Sequence, residues 1–269
     1  MKLKDKLERL KRIIAETDGL VVAFSGGVDS TLLAHVAHEV LGERALAVTA
    51  QSETFPAWEL EEAKALAARI GIRHRFIRTS ELRVPQFRAN PPDRCYHCKK
   101  ALFRELLAVA REEGLAKVAD GTNLDDRGDY RPGLKALEEL GVISPLREAG
   151  LGKSDIRRLC RRLGLPNWKK PAFACLASRF PYGETITEEK LRRVARAEDL
   201  LRSLGFELFR VRYHGHLARI EVPPGRIRLA VRHRREIVEA FKSLGFLYVA
   251  LDLEGYRTGS MNEPLKPPS

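Results

Sequence analysis

Residues 25–30, Ser-Gly-Gly-Val-Asp-Ser, have the composition of an anion-binding loop. Glycines let a backbone turn sharply and approach a ligand without a β-carbon in the way. The serine hydroxyls add hydrogen-bond donors, and the amides that open the following helix favour negative charge. The loop lacks the lysine of the Gly-x-x-x-x-Gly-Lys-Ser/Thr phosphate loop. The spacing therefore predicts a different phosphate- or pyrophosphate-binding loop, with a ligand-free glycine turn as the alternative.

Acidic residues near this loop are candidates for the same site. Asp29 offers the hard oxygen ligand that Mg²⁺ prefers, although an acid at this position could simply open a helix. Asp125 and Asp126 follow the sequence Gly-Thr-Asn at residues 121–123, directly after a predicted strand. We expect a functional role for both carboxylates because they leave the end of that strand.

Basic residues are candidates for binding anions. Lys153 and Arg157 open a predicted helix and would face phosphates if its N-terminus points toward the ligand. A further set looks like substrate contacts: Arg179, Arg210, Arg212 and Glu221. Arg210 and Arg212 alternate along one face of a predicted strand and suit a phosphate group, which a guanidinium can bind in a bidentate manner. For each cation a solvent-exposed surface position is the alternative.

The four cysteines comprise a close pair and two single residues. Cys95 and Cys98 lie three apart at the start of a predicted helix, where the helix dipole favours thiolate. Cys175 lies alone in a predicted loop. A closed zinc site needs four protein ligands, and these three thiols supply only three. On a four-iron cluster, three thiolates would leave one iron without a protein ligand and open to sulfide. A redox pair or half of a zinc site are the alternatives for Cys95 and Cys98, and Cys160 is predicted to be a core residue.

The elements that must position these residues alternate between strand and helix. Strands are predicted at residues 20–24, 45–50, 73–78 and 117–119, and helices at residues 3–16, 57–70, 95–113 and 152–163. A further apolar helix is predicted to follow residues 25–30 and to end near Leu41. This alternation predicts an α/β fold with a doubly wound parallel sheet that helices cover on both faces. Ligands of such sheets bind at the carboxyl ends of the strands.

The pattern changes near residue 170. Helices predicted at residues 188–204 and 235–244 alternate with strands at residues 208–213, 217–222 and 246–251. This order predicts a smaller C-terminal α+β domain. We therefore divide the chain into residues 1–170 and residues 171–269, and expect the last residues, 263–269, to be frayed.

Composition excludes several classes of protein. The 269 residues are 44% hydrophobic and 31% charged, which is ordinary for a globular chain and excludes disorder and collagen. No apolar stretch approaches the roughly 18–20 residues that span a bilayer, and no signal peptide is recognisable, so we expect a cytoplasmic protein. The net charge of +12 is uneven, because residues 151–170 hold seven basic residues against one acid. This segment is either a solvated surface or an attractive field for an anion.

The loop and its context resemble a known superfamily. Residues 25–30 match the SGGxDS motif of the PP-loop ATP pyrophosphatases, which split ATP into AMP and pyrophosphate and adenylate an acceptor. Residues 121–123 and 152–157 occur where that superfamily has recurrent elements. Within it, the chain is most similar to the LarE family, ATP-dependent sulfur transferases that act in the synthesis of the nickel-pincer nucleotide cofactor. The matching stretches are residues 90–99, 121–126, 128–133, 175–180, 211–215 and 251–257.

The resemblance implies a fold, a reaction and partners. The fold would be that of the PP-loop, adenine nucleotide alpha hydrolase-like proteins, with an ATP pyrophosphatase domain at residues 1–170 and a substrate-binding and oligomerisation domain at residues 171–269. The reaction would use ATP and Mg²⁺ to adenylate the carboxylates of pyridinium-3,5-dicarboxylate mononucleotide and convert them to thiocarboxylates. Partners would be this nucleotide substrate, a sulfide donor and further copies of the chain, a hexamer in this family.

The resemblance also implies two sources of sulfur. Some members have only the equivalent of Cys175 and sacrifice its sulfur, which leaves dehydroalanine. Others have three cysteines and bind a [4Fe-4S] cluster that relays sulfur catalytically. Because this sequence has Cys95, Cys98 and Cys175, we expect the cluster form.

Roles follow for individual residues. The resemblance implies catalytic roles for Cys95, Cys98 and Cys175, which would also bind iron, and binding of Mg²⁺ by Asp29. The residues expected to bind ATP are Ser25, Gly26, Gly27, Asp29, Ser30, Gly121, Thr122 and Lys153. The residues expected to bind the substrate are Asp126, Ser178, Arg179, Arg210, Arg212 and Glu221.

Two other functions compete with this interpretation. A tRNA 2-thiolating enzyme of the PP-loop superfamily can share the loop, the three cysteines and the positive charge. The LarE-like stretches at residues 211–215 and 251–257 argue against it, and no zinc knuckle or THUMP-like extension is recognisable. A nucleotide- or RNA-binding module without catalysis would be expected to have lost residues of the loop motif. The loop, the acids and the cysteines are all intact, which argues against such a module. We therefore expect the charge to serve chiefly ATP and a phosphorylated acid and only secondarily RNA, and we expect no membrane as partner.

Overall fold

The computed structural model describes residues 2–128, 132–171, 173–257, 259–260 and 263. Asp129, Tyr130 and Arg131, which belong to one LarE-like stretch, lie outside these residues, as do Ala172 and the predicted frayed tail at residues 264–269. The chain divides into two compact units, which we call unit 1 (Met1–Phe87 and Asp93–Phe173) and unit 2 (Arg88–Pro92 and Ala174–Ser269). The assignment of an ATP domain and a substrate domain stays a prediction.

Unit 1 is built on a four-stranded parallel sheet. Its strands are β1 (Leu20–Ala23), β2 (Ala45–Gln51), β3 (Arg73–Arg78) and β4 (Lys117–Ala119), in the spatial order β3-β2-β1-β4. The helices of this part of the chain are α1 (Leu3–Ala15), α2 (Val28–Leu41), α3 (Ala57–Ile70), α4 (Pro85–Arg88), α5 (Arg94–Glu112), α6 (Gly133–Glu139), α7 (Pro145–Glu148) and α8 (Lys153–Arg162).

Strand β1 is buried on both faces, which explains its uninterrupted apolar sequence. Leu20 and Val22 pack into one core with residues of α1, α2 and α8. Val21 points to the opposite face and packs into a second core with residues of α5 and α6. Side chains of a strand alternate between its two faces, so helices cover both sides of the sheet. The predicted doubly wound α/β fold is confirmed.

The strand order reverses at β1. The chain runs from β1 to β2 and β3 on one side, and returns to β4 on the other. Ligands of open α/β sheets bind beyond the carboxyl ends of the strands at such a reversal. Residues 25–30 follow β1 and residues 121–123 follow β4, so both segments leave the sheet at this crevice.

The described part of unit 2 has a three-stranded sheet and three α-helices. The strands are β5 (Arg210–His214), β6 (Leu217–Glu221) and β7 (Tyr248–Leu251); β5 and β6 are antiparallel, and β6 and β7 are parallel. The helices are α9 (Glu188–Ser203), α10 (Ile227–Arg232) and α11 (Arg234–Ser243). The predicted smaller α+β unit is present, but the helix predicted at residues 235–244 is the second of two. Helix α10 was missed because it has only six residues and begins two residues after a Pro-Pro-Gly sequence at residues 223–225.

Within the described ranges, we find no helix with the length and apolar character needed to cross a membrane.

Candidate active site

The loop of residues 25–30, which we call the nucleotide loop, is shaped by its own side chains. Ser30 Oγ donates to the carbonyl of Gly27 at 3.1 Å and lies 3.2 Å from Ser25 Oγ. The amide of Gly27 donates to Ser25 Oγ at 3.3 Å. Gly26 has φ +69°, and a β-carbon there would lie 3.1 Å from the Cα of Ala63 in α3. Only glycine combines this backbone conformation with so close an approach.

Asp29 lies on the first turn of α2 and combines a paired oxygen with an open one. Lys153 Nζ, from the start of α8, donates to Asp29 Oδ2. Asp29 Oδ1 is buried and has no hydrogen-bond partner among the described residues. Burial raises the pKa of Asp29 above its ordinary value, although the ammonium of Lys153 opposes that shift. An acceptor oxygen in this state is suited to a cation that arrives with the ligand.

Gly121 and Thr122 lie beside the nucleotide loop but contribute in different ways. A β-carbon on Gly121 would lie 3.2 Å from the amide nitrogen of Ser30, so glycine allows β4 to approach the start of α2. The hydroxyl of Thr122 donates to the carboxylate of Asp120. Thr122 is buried, and its side chain therefore shapes the turn after β4.

Asp120 is a functional candidate that the sequence analysis missed. It is 5% exposed and accepts hydrogen bonds from Ser144 Oγ at 2.7 Å and from Thr122. Lys99 Nζ, from the helix that carries Cys95 and Cys98, lies 3.4 Å from its Oδ2. A buried carboxylate is stable only with such partners. The available signal was its position, because Asp120 is the first residue after β4.

The acids that follow this turn bond to backbone amides. Asp125 Oδ2 accepts a hydrogen bond from the amide of Lys153 at 2.7 Å and so stabilises the N-terminus of α8. Asp126 Oδ2 accepts from the amide of Asn123 at 2.9 Å. The acids thus fix the position of Lys153 relative to the turn, and binding of the substrate by Asp126 stays a prediction.

Residues 166–171 form an anchoring segment against the nucleotide loop. Asn167 Nδ2 donates to the carbonyl of Gly26 at 3.0 Å and to Thr31 Oγ1 at 2.9 Å. Arg157 donates to the carbonyls of Trp168 and Lys170 at 2.6 and 2.9 Å. The guanidinium of Arg157 thus holds the backbone of this segment, and the expectation that it also faces phosphates stays a prediction.

The nucleotide loop and the anchoring segment border one cleft of about 140 Å³. Asp29 and Lys153 line it together with Lys170, which pairs with Glu59 at 2.6 Å and Glu62 at 2.7 Å. Phe173 also lines the cleft, and its ring meets that of Trp58 edge-on at 5.2 Å. The cleft thus offers backbone amides, a carboxylate with an open oxygen, two ammonium groups and an aromatic wall.

The cysteines lie in different surroundings. Cys95 and Cys98 occupy the first turns of α5, as predicted, and Cys95 is exposed. Cys160 is fully buried on α8, and desolvation raises its pKa to about 12, which confirms it as a core residue. Cys175 belongs to unit 2 and is partly exposed. Across the described residues, no three His, Cys, Asp or Glu side chains are grouped to hold a metal ion.

The three arginines expected to bind the substrate are all buried in unit 2. Arg179 is 0% exposed, and Arg210 and Arg212 are each 4% exposed. Their alternative interpretation as solvated surface residues is wrong. Arg179 forms a two-pronged pair with Glu198, with Nε–Oε1 and Nη2–Oε2 distances of 2.8 Å. Glu198 carried no signal in the sequence, because a glutamate on a charged helix is ordinarily exposed.

Arg212 and Glu221 form a second buried pair, at 2.8 Å across strands β5 and β6. Arg212 also donates to Ser260 Oγ at 2.9 Å and to the carbonyl of Ser178 at 2.7 Å. Arg210 stacks over the ring of Tyr256, with 5.1 Å from its guanidinium carbon to the ring centroid. Desolvation lowers the pKa of Arg210 to about 10, and the neighbouring Arg179 adds to that shift. The cluster thus buries three guanidinium groups together with the two carboxylates of Glu198 and Glu221, so that only one positive charge is in excess.

The fold and the site together define a class of protein. A doubly wound sheet whose first strand ends in a Ser-Gly-Gly-x-Asp-Ser loop, at the point where the strand order reverses, defines an ATP pyrophosphatase of the PP-loop superfamily. The family described as NAD synthase matches residues 3–89.

Comparison with known proteins identifies the family. The chain is 50% identical over 265 residues to the uncharacterized protein slr1717 of Synechocystis. This match covers 98% of this chain and 99% of that protein. It is 42% identical over 264 residues to the pyridinium-3,5-bisthiocarboxylic acid mononucleotide synthase of Lactiplantibacillus plantarum, covering 98% of this chain and 96% of the synthase. A tRNA-specific 2-thiouridylase of Rickettsia felis is 30% identical over 190 residues, 56% of this chain and 52% of that enzyme. The chain belongs to the LarE family of synthases, and the predicted membership is confirmed.

Proposed function

We propose that this protein is an ATP-dependent sulfur transferase that makes pyridinium-3,5-bisthiocarboxylic acid mononucleotide. The observation that carries the proposal is the 42% identity to the synthase of that name over almost the full length of both chains. In this reaction ATP adenylates each carboxylate of pyridinium-3,5-dicarboxylate mononucleotide, and a sulfur nucleophile then displaces AMP. The nucleotide loop, Asp29 and Lys153 support the first half-reaction, and Cys175 is our candidate for the second.

In the first half-reaction a substrate carboxylate oxygen attacks the α-phosphorus of ATP, and the bond to the pyrophosphate oxygen breaks. Amides of the nucleotide loop and the ammonium of Lys153 take up the negative charge of the leaving pyrophosphate. The open oxygen Asp29 Oδ1 fits Mg²⁺, because this ion binds through one or two carboxylates together with phosphate oxygens. When bound, Mg²⁺ would neutralise charge on the pyrophosphate.

In the second half-reaction the Cys175 thiolate attacks the activated carbonyl carbon, and AMP leaves with the phosphate oxygen. The product is a thioester between Cys175 and the substrate. Loss of the proton on the α-carbon of Cys175 then forms a double bond to the β-carbon and breaks its bond to sulfur. Sulfur departs as the thiocarboxylate and dehydroalanine remains, so that the step is balanced without an external oxidant.

The three cysteines that would hold a cluster are divided between the units: Cys95 and Cys98 belong to unit 1, and Cys175 belongs to unit 2. Within the described residues, no three metal-binding side chains are grouped together. The cluster, a sulfide donor that would reload it, and a hexameric assembly stay predictions. Iron analysis and absorption spectra of protein purified without oxygen test the cluster directly: about four irons per chain would establish the catalytic relay.

The decisive assay for the proposed function supplies ATP, Mg²⁺ and the dicarboxylate mononucleotide. We expect AMP, pyrophosphate and a product heavier by the exchange of oxygen for sulfur. The variant Cys175→Ala should still exchange labelled pyrophosphate into ATP but should form no thiocarboxylate unless a cluster supplies the sulfur. Formation of ADP would refute the pyrophosphatase assignment.

Thiolation of tRNA is the second candidate, because a 2-thiouridylase shares 30% identity over part of the chain. Electrostatic binding of a phosphate backbone weakens steeply as salt increases. A gel-shift titration with tRNA at 50 mM and 200 mM salt distinguishes the two functions. Binding that persists at the higher concentration, with thiolated nucleoside after digestion, would support the tRNA activity instead.

A further inference from the structure

We propose that Arg179 is a positioning residue that fixes the backbone around Cys175, and that it does not contact the substrate. The inference rests on the proposed function, in which Cys175 supplies the sulfur nucleophile. It reassigns a residue whose type and position suggested a phosphate contact.

The guanidinium of Arg179 reaches the two carbonyl groups that flank the α-carbon of Cys175. Its Nη1 donates to the carbonyl of Ala174 at 2.7 Å and to that of Cys175 at 3.2 Å. The same nitrogen lies 2.8 Å from Ser178 Oγ. Hydrogen bonds from a charged donor are stronger than neutral ones. The backbone that carries the Cys175 side chain is therefore held by one cationic group.

Glu198 holds the other side of that guanidinium. Its two oxygens accept from Nε and Nη2 of Arg179, and Oε1 also accepts from the amide of Val211 at 2.9 Å. Glu198 lies on α9 and Val211 on β5, so the contact joins the turn to both a helix and a strand. The pair is 0% and 3% exposed. A planar guanidinium between two such anchors has a fixed position and orientation.

A second set of contacts completes the turn at residues 175–179. The amide of Ser178 donates to the carbonyl of Cys175 at 3.0 Å, and Arg212 donates to the carbonyl of Ser178 at 2.7 Å. The backbone is therefore restrained before and after Cys175, while its side chain stays partly exposed. Such restraint favours attack on a carbonyl carbon, because a positioned nucleophile loses little further entropy at the transition state.

Burial decides between positioning and substrate binding. All three guanidinium nitrogens of Arg179 bond to protein groups, and none of the side chain is exposed. A phosphate would have to displace Glu198 or the two carbonyl groups, which would leave buried groups unsatisfied. Arg179 accordingly supports the turn, and the exposed edge of Cys175 meets the substrate.

The test compares the buried variants Arg179→Lys and Glu198→Gln with the control variant Arg192→Lys. Arg192 lies on α9, as Glu198 does, and forms an exposed ion pair with Glu188 at 2.8 Å. Lysine cannot bond to Glu198 and both carbonyls at once, and Glu198→Gln keeps the volume but removes the charge. We expect both buried variants to retain ATP–pyrophosphate exchange and a KM for the dicarboxylate mononucleotide within twofold of the original. Thiocarboxylate formed per pyrophosphate released should fall at least tenfold, whereas Arg192→Lys should change nothing.

Alkylation of Cys175 by iodoacetamide, followed by peptide mass spectrometry, supplies a readout that does not need the substrate. The rate at Cys175 should change in the buried variants and stay constant at exposed Cys95. Thermal unfolding identifies a variant that fails to fold, and Glu198→Gln then carries the test. A tenfold rise in KM with unchanged sulfur transfer per turnover would overturn the inference, because it would make Arg179 a substrate contact. If Cys175→Ala transfers sulfur normally, the role of Cys175 as the nucleophile fails instead, whereas the absence of thiocarboxylate from the unchanged protein would refute the proposed function itself.

Discussion

The substitution Gly26→Ala should damage both the stability of the protein and its use of ATP. Gly26 has φ +69°, where a β-carbon costs about 1–2 kcal/mol in an L-residue. The added carbon would also lie 3.1 Å from the Cα and 3.2 Å from the Cβ of Ala63. Because the backbone of α3 cannot move away cheaply, we add about 1–3 kcal/mol for overpacking. The expected free-energy cost is therefore roughly 2–5 kcal/mol, and it should appear either as lower stability or as a displaced nucleotide loop.

Gly114→Ala is the matched control for the conformational part of this cost. Gly114 has φ +65° and also belongs to unit 1, but its added β-carbon would meet no atom within 4 Å. Its unfolding temperature should fall by the conformational cost alone, at about 2–4 °C per kcal/mol. The difference between the two variants isolates the contact between Gly26 and Ala63.

Thermal unfolding and pyrophosphate-exchange kinetics measure the two effects. We expect Gly26→Ala to unfold at a lower temperature than Gly114→Ala and to raise the KM for ATP about tenfold for each 1.4 kcal/mol of lost binding energy. Gly114→Ala should leave that KM unchanged. Equal unfolding temperatures and an unchanged KM in both variants would refute the reasoning, because the contact with α3 would then not shape the loop.

Three further predictions concern unit 1. Burial raises the pKa of Asp29, so the folded protein is less stable at a pH above that pKa, where the carboxylate is ionised. Asp29→Asn should therefore raise the unfolding temperature at pH 7 but not near pH 3, where the carboxyl group is already neutral. The same variant should lose the use of Mg-ATP. In the unchanged protein the same shift should make the KM for Mg-ATP rise on acidification before an ordinary aspartate would protonate. Cys160, with a pKa of about 12, should not react with iodoacetamide at pH 8 until the protein unfolds, whereas the exposed Cys95 should react in the folded protein. Labelling of Cys160 in the folded protein would contradict its burial. Asn167→Ala removes two hydrogen bonds to the loop region, each worth about 1 kcal/mol, and should raise the KM for ATP by up to about thirtyfold. An unchanged KM would show that residues 166–171 do not support the loop.

The sequence predicted those parts of the structure that depend on local chemistry. The apolar run at β1 and the two glycines after it indicate a buried strand and a tight loop whatever surrounds them. Asn167 could not be identified in this way, because its partner Gly26 lies 141 residues away. Asp120 was missed for a similar reason, since its partner Ser144 is brought to it by the parallel return of the chain.

The arginines of unit 2 show where prediction from residue type fails. The alternation of Arg210 and Arg212 along β5 is correct, but the sequence does not reveal that this face is buried. Arginine is seldom buried unless it is paired. Glu198 and Glu221, which make burial of Arg179 and Arg212 tolerable, lie on other elements of the unit. A chemical role for such a cation can be assigned only after its partners are known.

The same reasoning applies to the basic segment at residues 151–170. Its charge suggested a field for an anionic ligand, yet Arg157 bonds to two carbonyl groups and Lys170 to two glutamates. Lys169 and Arg161 lie over the ring of Trp168, with 4.8 and 5.2 Å to its centroid. Much of this charge therefore holds residues 166–171 against the nucleotide loop, and only part of it is aimed at the cleft, through Lys153 and Lys170. Part of the basic charge of this segment thus builds the site, and a net charge alone cannot distinguish that use from attraction of a nucleic acid.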